Sequence, residues 1–231
     1  MPVESLKGVS VIIPAAGIGL RMGELIPKQY LEISGKAILE HTISKILSMH
    51  PRQVIVVVSA EDGFYEKLPS IRHCSVKVGG LLRSDSVTAG MTNLELAQDD
   101  WVMVHDAVRP CFRAEDVLAL CERIQDHEVG GLLGVPVSDT IKEVDGEFVA
   151  GTIDRTHLWQ AQTPQVFRYS ILQQSLQLLQ ASMDTMTDEA SAVEAAGYQP
   201  LMVAGHSDNI KITTPDDLTL ASYYLSRGAL L

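Results

Sequence analysis

Apolar positions along the chain alternate between two spacings. Residues 9–14 (VSVIIP) and 54–59 (VIVVVS) are nearly unbroken apolar runs rich in β-branched residues. That is the pattern of strands covered on both faces of a parallel sheet. Between them, in residues 37–49, Ile38, Leu39, Ile43, Ile46 and Leu47 recur at helical spacing. The alternation continues with a helix over 84–96, a strand over 101–105 (WVMVH), an amphipathic helix over 114–125 and a strand over 131–137 (GLLGVPV). This βαβα order predicts an α/β fold, a doubly wound and mostly parallel sheet with right-handed crossovers.

The rhythm breaks at Asp139. Residues 140–144 (TIKEV) and 147–153 (EFVAGTI) read as two strands about a type I′ turn at Asp145-Gly146. A polar hairpin of this size holds no core of its own. It is expected to project as an arm, residues 138–156, and to pack on a second subunit. Helices follow near 170–181 and 188–196, then a strand over 200–203, a short strand over 209–212 and a last helix from Pro215. Thr214-Pro215-Asp216-Asp217 reads as a capping box with proline at the first helical position. With no linker and no internal repeat, the chain reads as one domain, 1–231, with a projecting β-hairpin arm.

Composition narrows the partners. The 231 residues are 46% hydrophobic and 20% charged, enough for a full core, and the 17 Gly and 10 Pro are dispersed, which excludes a collagenous or low-complexity chain. A net charge of −11 disfavours nucleic-acid polymers and anionic membrane surfaces. No run reaches the roughly 20 apolar residues of a membrane span, and the first residues lack a signal-peptide pattern. Cys74, Cys111 and Cys121 have no CxxC spacing, so neither a disulfide framework nor a zinc site is expected. A soluble, cytoplasmic protein is the expectation.

The first strand runs into Ala15-Ala16-Gly17-Ile18-Gly19-Leu20-Arg21-Met22, followed by Pro27-Lys28-Gln29. Small residues after a strand let main-chain N–H groups approach phosphates closely. Met22 stands where a dinucleotide fingerprint needs Gly or Ala, and no Gly-Lys-Ser/Thr completes a Walker A loop. What remains is a glycine loop with two cations, Arg21 and Lys28, suited to a triphosphate.

This AAGxGxRM…PKQ pattern resembles the nucleotidyltransferases that activate sugar-like phosphates, and the rest of the chain resembles the 2-C-methyl-D-erythritol 4-phosphate cytidylyltransferase family. Supporting segments, in the family's order, are Gly79-Gly80 with Arg83, Asp85 and Ser86, then His105-Asp106-Ala107-Val108-Arg109-Pro110, and Pro136-Val137 with Asp139, Thr140 and Lys142. Asp154-Arg155, Gln162-Thr163-Pro164-Gln165, Thr187-Asp188-Glu189-Ala190 and Asn209-Ile210-Lys211 complete the set. The resemblance covers about residues 9 to 220 and implies a Rossmann-like nucleotidyltransferase fold. The implied reaction transfers a cytidylyl group from CTP to 2-C-methyl-D-erythritol 4-phosphate, releasing pyrophosphate. A cytidylyltransferase for another polyol phosphate, such as ribitol 5-phosphate, is the alternative on the same scaffold.

Site residues follow from both lines. Ala15, Ala16, Gly17, Gly19, Gly80, Ser86 and Asp106 are expected to bind CTP. Main-chain groups and the Ser86 hydroxyl can supply the donor and acceptor that cytosine needs, although Gly79-Gly80 is also an ordinary turn before a helix. Asp106 follows a buried strand at the carboxyl end, where open α/β sheets bind ligands, and is expected to hold Mg²⁺ or another divalent cation against the CTP phosphates. Arg21, Lys28, Arg155 and Lys211 are the expected catalytic cations. The resemblance implies that Arg109, Thr140, Arg155, Thr163, Thr187 and Lys211 bind the second substrate, with Thr140 and Arg155 reaching a neighbouring subunit's pocket. Thr163 also reads as a turn cap and Thr187 as a helix N-cap, roles compatible with a phosphate site. No paired carboxylates or Ser-His-Asp set is needed, because a phosphate monoester is already a nucleophile at neutral pH.

Overall fold

Strand β1 (Val9–Pro14) forms because its five apolar or small residues before Pro14 are buried on both faces. It pairs in parallel with β4 (Gln53–Val58) on one side and β6 (Trp101–Val104) on the other. The computed structural model describes residues 5–17, 26–80, 82–182 and 186–228. Between β1 and β4 come a small antiparallel pair, β2 (Glu32–Ile33) and β3 (Lys36–Ala37), and helix α1 (Ile38–Ser48). Then follow β5 (Ser75–Val78), α2 (Arg83–Met91), β6, α3 (Ala114–Ile124) and β7 (Gly130–Pro136). The ribbon β8 (Ile141–Asp145) and β9 (Phe148–Ile153) precedes β10 (Trp159–Arg168), α4 (Tyr169–Ser182), α5 (Glu189–Ala195), β11 (Leu201–Ala204) and α6 (Pro215–Gly228).

The main sheet has seven strands in the order β11-β7-β10-β6-β1-β4-β5. All pairs are parallel except those of β10, which runs antiparallel to both neighbours. Side chains alternate between two cores. Val11, Ile13, Val54 and Val56 meet Leu39, Ile43, Val117 and Leu120 on one face. Ile12, Ile55, Val57 and Val104 meet Val87, Leu172, Leu176 and Val193 on the other. The expected α/β, doubly wound sheet is therefore present, with one reversed strand inside it. Among the described residues no helix is long and apolar enough to cross a membrane.

Four expectations need correction. The helix expected over 84–96 stops at Met91, because Thr92 turns extended and Asn93 takes a left-handed φ of 58°. The segment at 209–212 is not a strand; it is a loop tied to Val108 by the Ile212 N–H at 2.9 Å. The hairpin turn is shifted by one residue, since Asp145 pairs with Phe148 and leaves Gly146-Glu147 as the loop. Only Gly146 has a positive φ there, which suits a type II′ turn and not the expected I′. Finally, β10 and β5 form where no strand was expected. Tyr169 begins α4 directly after β10. The capping box at Thr214 does form: Asp217 Oδ2 accepts the Thr214 N–H at 2.8 Å, and Thr214 Oγ1 accepts the Asp217 N–H at 3.3 Å.

The β8–β9 ribbon makes a sheet of its own and carries exposed apolar side chains, Val144, Phe148, Val149 and Ile153, with Phe148 80% exposed.

Candidate active site

The sheet order reverses between β1 and β6: the chain leaves β1 toward β4 and β5, then returns to lay β6 on the other side. In open α/β sheets such a switch point opens a crevice at the carboxyl ends of the strands. A cavity of about 240 Å³ lies there, lined by Ala15, Ala16 and Gly17 after β1 and by Asp106 and Ala107 after β6. Lys28, Gly80, Arg83, Ser86 and Lys211 line the same cavity.

The loop after β1 is shaped from below. The Gln29 amide donates to the carbonyls of Ala15 at 2.7 Å and Gly17 at 3.2 Å, and the Gln29 side chain is buried. Lys28 sits next to it on a 3₁₀ turn over Lys28–Tyr30. Tyr30 anchors that turn by donating its hydroxyl to Asp62 Oδ2 at 2.6 Å and stacking on Phe64. The pattern PKQ thus places Lys28 at the cavity through its neighbour. Gly80 leaves no room for a side chain, since a Cβ there would lie 2.5 Å from Asp85 Cβ. Ser86 is buried and its hydroxyl meets the Leu82 carbonyl at 3.3 Å. Arg21 and Gly19 lie outside the described residues.

Asp106 is the electrostatic centre. It is 4% exposed, and its carboxylate meets Arg83 at Oδ1, and Arg109 at 3.2 Å and Lys211 at 3.0 Å, both at Oδ2. Burial favours its neutral form, but Arg83, Lys211 and Arg109 outweigh that and hold the pKa far below the usual carboxylate range. Arg83 continues to Glu189, donating from Nε and Nη2 to the two carboxylate oxygens at 2.9 Å each. Burial opposes the charge on Arg83 as well, yet Glu189 and then Asp106 raise its pKa. Among the described residues, three cations face two carboxylates and leave this cluster one positive charge in excess, and Lys28 lines the same cavity. Such a cavity is built for a polyanion.

The main chain at Asp106 is also held. Thr163 Oγ1 accepts the Asp106 N–H at 3.0 Å and lies 3.2 Å from His105 Nδ1. His105 Nε2 is 3.0 Å from the Arg109 carbonyl, which only accepts, so Nε2 carries the proton and Nδ1 accepts from Thr163. Burial pushes His105 down to about 4, in keeping with this neutral tautomer.

The expected second-substrate residues divide. Lys211 and Arg109 come together at Asp106, but Arg109 also donates from Nη1 to the Asn209 carbonyl at 2.7 Å and does not line the cavity. Thr163 is buried with its hydroxyl engaged, so here it positions Asp106 instead of facing the cavity. Thr187 is exposed and is not the N-cap of α5; Asp188 is, accepting the Ser191 N–H at 3.0 Å. Thr140 and Arg155 are exposed just before and just after the ribbon, and neither lines this cavity. Arg83, Gln29 and Glu189 stand in motifs visible in the sequence, yet nothing local marks them as the ones that organise the site. Among the described residues no three of His, Cys, Asp and Glu cluster closely enough to hold a metal by themselves.

Comparisons with known proteins agree with this geometry. The family model described as IspD, 2-C-methyl-D-erythritol 4-phosphate cytidylyltransferase, matches residues 9–227. The chain is 46% identical over 231 residues to the 2-C-methyl-D-erythritol 4-phosphate cytidylyltransferase of Vibrio vulnificus, covering 97% of each chain. It is 47% identical over 226 residues to that of Serratia proteamaculans, covering 95% of this chain and 94% of the relative. Among solved structures, a 4-diphosphocytidyl-2C-methyl-D-erythritol synthase aligns with a TM-score of 0.82 at 38% identity, covering 94% of this chain and 97% of the other. The Francisella tularensis 2-C-methyl-D-erythritol 4-phosphate cytidylyltransferase aligns at 0.80 and 36% identity, covering 94% and 99%.

Proposed function

The chain belongs to the 2-C-methyl-D-erythritol 4-phosphate cytidylyltransferase family, and from that premise we propose how this site transfers a cytidylyl group from CTP to 2-C-methyl-D-erythritol 4-phosphate. The substrate phosphate attacks the α-phosphorus of CTP; a new P–O bond forms and pyrophosphate leaves. The products are 4-diphosphocytidyl-2-C-methyl-D-erythritol and pyrophosphate. A phosphate monoester with a second pKa near ~6 needs no general base at neutral pH. Catalysis then rests on alignment and on fixed positive charge where negative charge develops.

One observation supports this most strongly: Lys28, Asp106 and Lys211 line the same cavity as the Ala15–Gly17 loop and Gly80. In our reading the loop cradles the triphosphate, with Arg21 and Lys28 neutralising it. Gly80 and Ser86 face the cytosine. Lys211 meets the incoming phosphate, and Arg109 acts through Asp106. Thr187 and, from a second subunit, Thr140 and Arg155 complete the methylerythritol site. The whole chain acts as one catalytic domain, and the ribbon, residues 138–156, is its dimerisation arm.

A divalent cation fits the donor set. Magnesium keeps most of its ligands as waters and substrate phosphate oxygens and asks the protein for one or two carboxylates. Asp106 offers one, its Oδ2 shared with Lys211, whose side chain is 42% exposed. When bound, such an ion would add to the neutralisation of phosphate charge.

The test is pyrophosphate release measured over CTP, UTP, ATP and GTP, each crossed with methylerythritol phosphate and ribitol 5-phosphate. Release is expected with CTP and methylerythritol phosphate. Release with ribitol 5-phosphate alone would transfer the reading to the polyol alternative.

A further inference from the structure

We propose that Glu189 is a positioning residue for cytidylyl transfer: by occupying two nitrogens of Arg83 it aims the third at Asp106 and sets that carboxylate at the cavity. The inference rests on the cytidylyl-transfer reading above and adds to it a residue that never touches substrate.

The geometry is over-determined. A guanidinium is planar, so fixing two of its nitrogens fixes the direction of the third. Glu189 holds Nε and Nη2 at 2.9 Å each, and Nη1 then meets Asp106 Oδ1. Glu189 is fully buried, whereas Arg83 reaches the cavity itself. Strand β10 holds both ends of this chain of contacts. The Gln165 amide donates to Asp188 Oδ2 at 2.8 Å and its carbonyl oxygen accepts the Ala190 N–H at 2.7 Å, which locks the start of α5 and hence Glu189. Two residues earlier on the same strand, Thr163 holds the Asp106 N–H.

Stability alone is a poor reason for this arrangement. Replacing a buried ion pair by apolar side chains of similar size is often neutral or favourable, because two charges must be desolvated. A network aimed at a cavity-lining carboxylate has another use: it keeps Asp106 ionised and immobile while Lys211 leaves it for substrate. Loss of such alignment by about 1 Å can slow a reaction roughly a hundredfold.

The experiment compares wild type, Glu189→Gln and Arg83→Lys. Glu189→Gln keeps the shape and removes the charge that fixes the fork; Arg83→Lys keeps the charge and removes the fork. CTP-binding sites are counted by equilibrium dialysis, and kcat at saturating substrates is expressed per site beside the thermal midpoint. We expect kcat per site to fall about tenfold to a hundredfold in both variants, with the KM for CTP within about threefold of wild type. A purely structural pair would lower the midpoint and the number of sites but leave kcat per site unchanged, and that result overturns the proposal. Failure of the isosteric Glu189→Gln chain to fold would likewise assign the pair to stability and overturn it. The cytidylyl-transfer reading fails separately, if the wild type itself forms no product from CTP and methylerythritol phosphate.

Discussion

The Thr163 hydroxyl accepts the Asp106 N–H at 3.0 Å, joining two residues 57 positions apart and fixing the main chain at the centre of the candidate site. The same hydroxyl donates to His105 Nδ1, whose ring carries its proton on Nε2 toward the Arg109 carbonyl.

Thr163→Val removes that hydroxyl at nearly constant volume. It strands a buried N–H and a buried imidazole nitrogen, each costing about 1–3 kcal/mol when left unmade. Urea denaturation should show a loss of about 2–6 kcal/mol, while Thr163→Ser stays near wild type. Equal stability of the Val and Ser chains would remove the hydroxyl from this role.

Lys28→Ala should lower turnover far more than it weakens CTP binding, because a cation aimed at the phosphates counts most as charge shifts in the transition state. By analogy with single oxyanion donors, the loss is about 3 kcal/mol in kcat. Steady-state rates beside CTP dissociation constants decide it; a change confined to binding would make Lys28 a ground-state contact.

Arg155 should act in trans. An isolated two-stranded ribbon is marginal in water, and this one exposes Phe148 and Val149. Docking on a twin subunit covers them, and two-fold symmetry carries each arm to the other's site. Mixing Arg155→Ala and Lys28→Ala chains and allowing exchange should restore activity, since one site of each mixed dimer then carries neither defect. No recovery despite verified exchange sinks the shared site. Phe148→Glu should shift the sedimentation coefficient to that of a monomer.

The thiols set an alkaline limit. Burial pushes Cys121 up to about 12, and Cys111 to about 12 with Lys45 opposing and Asp208 adding to the shift. Their ordinary value is 9.0, so above pH 9 the unfolded chain releases protons that the folded chain keeps. Folding stability is therefore complete below pH 9 and declines as pH rises toward 12. Chemical denaturation at pH 8, 9.5 and 10.5 checks the sign. At pH 8 Cys111 and Cys121, buried in the native protein, should also resist iodoacetamide.

The pattern along the chain already determined β1, β4, β6, β7 and the helices between them. Such apolar runs can be buried only between two layers, and helical stripes only against a sheet. The place of Lys28 beside the first loop, the carboxylate after β6 and the hairpin were legible for the same local reason: spacing, position after a strand, and a polar ribbon with no core. Strand β10 was not. Its sequence, WQAQTPQVFR, carries polar side chains and a proline that read as loop. Tertiary structure makes it a central strand by satisfying those groups from afar. Gln162 donates to the His206 carbonyl at 3.0 Å, Asn209 donates to the Thr163 carbonyl at 2.8 Å, and Pro164 falls where the register with β7 shifts. Arg83 and Glu189 stand 106 residues apart. A charge has no periodicity and no preferred neighbour along the chain. Which carboxylate it meets, and in what direction that leaves its remaining donor, is decided only when α2, α5 and the end of β6 are packed together.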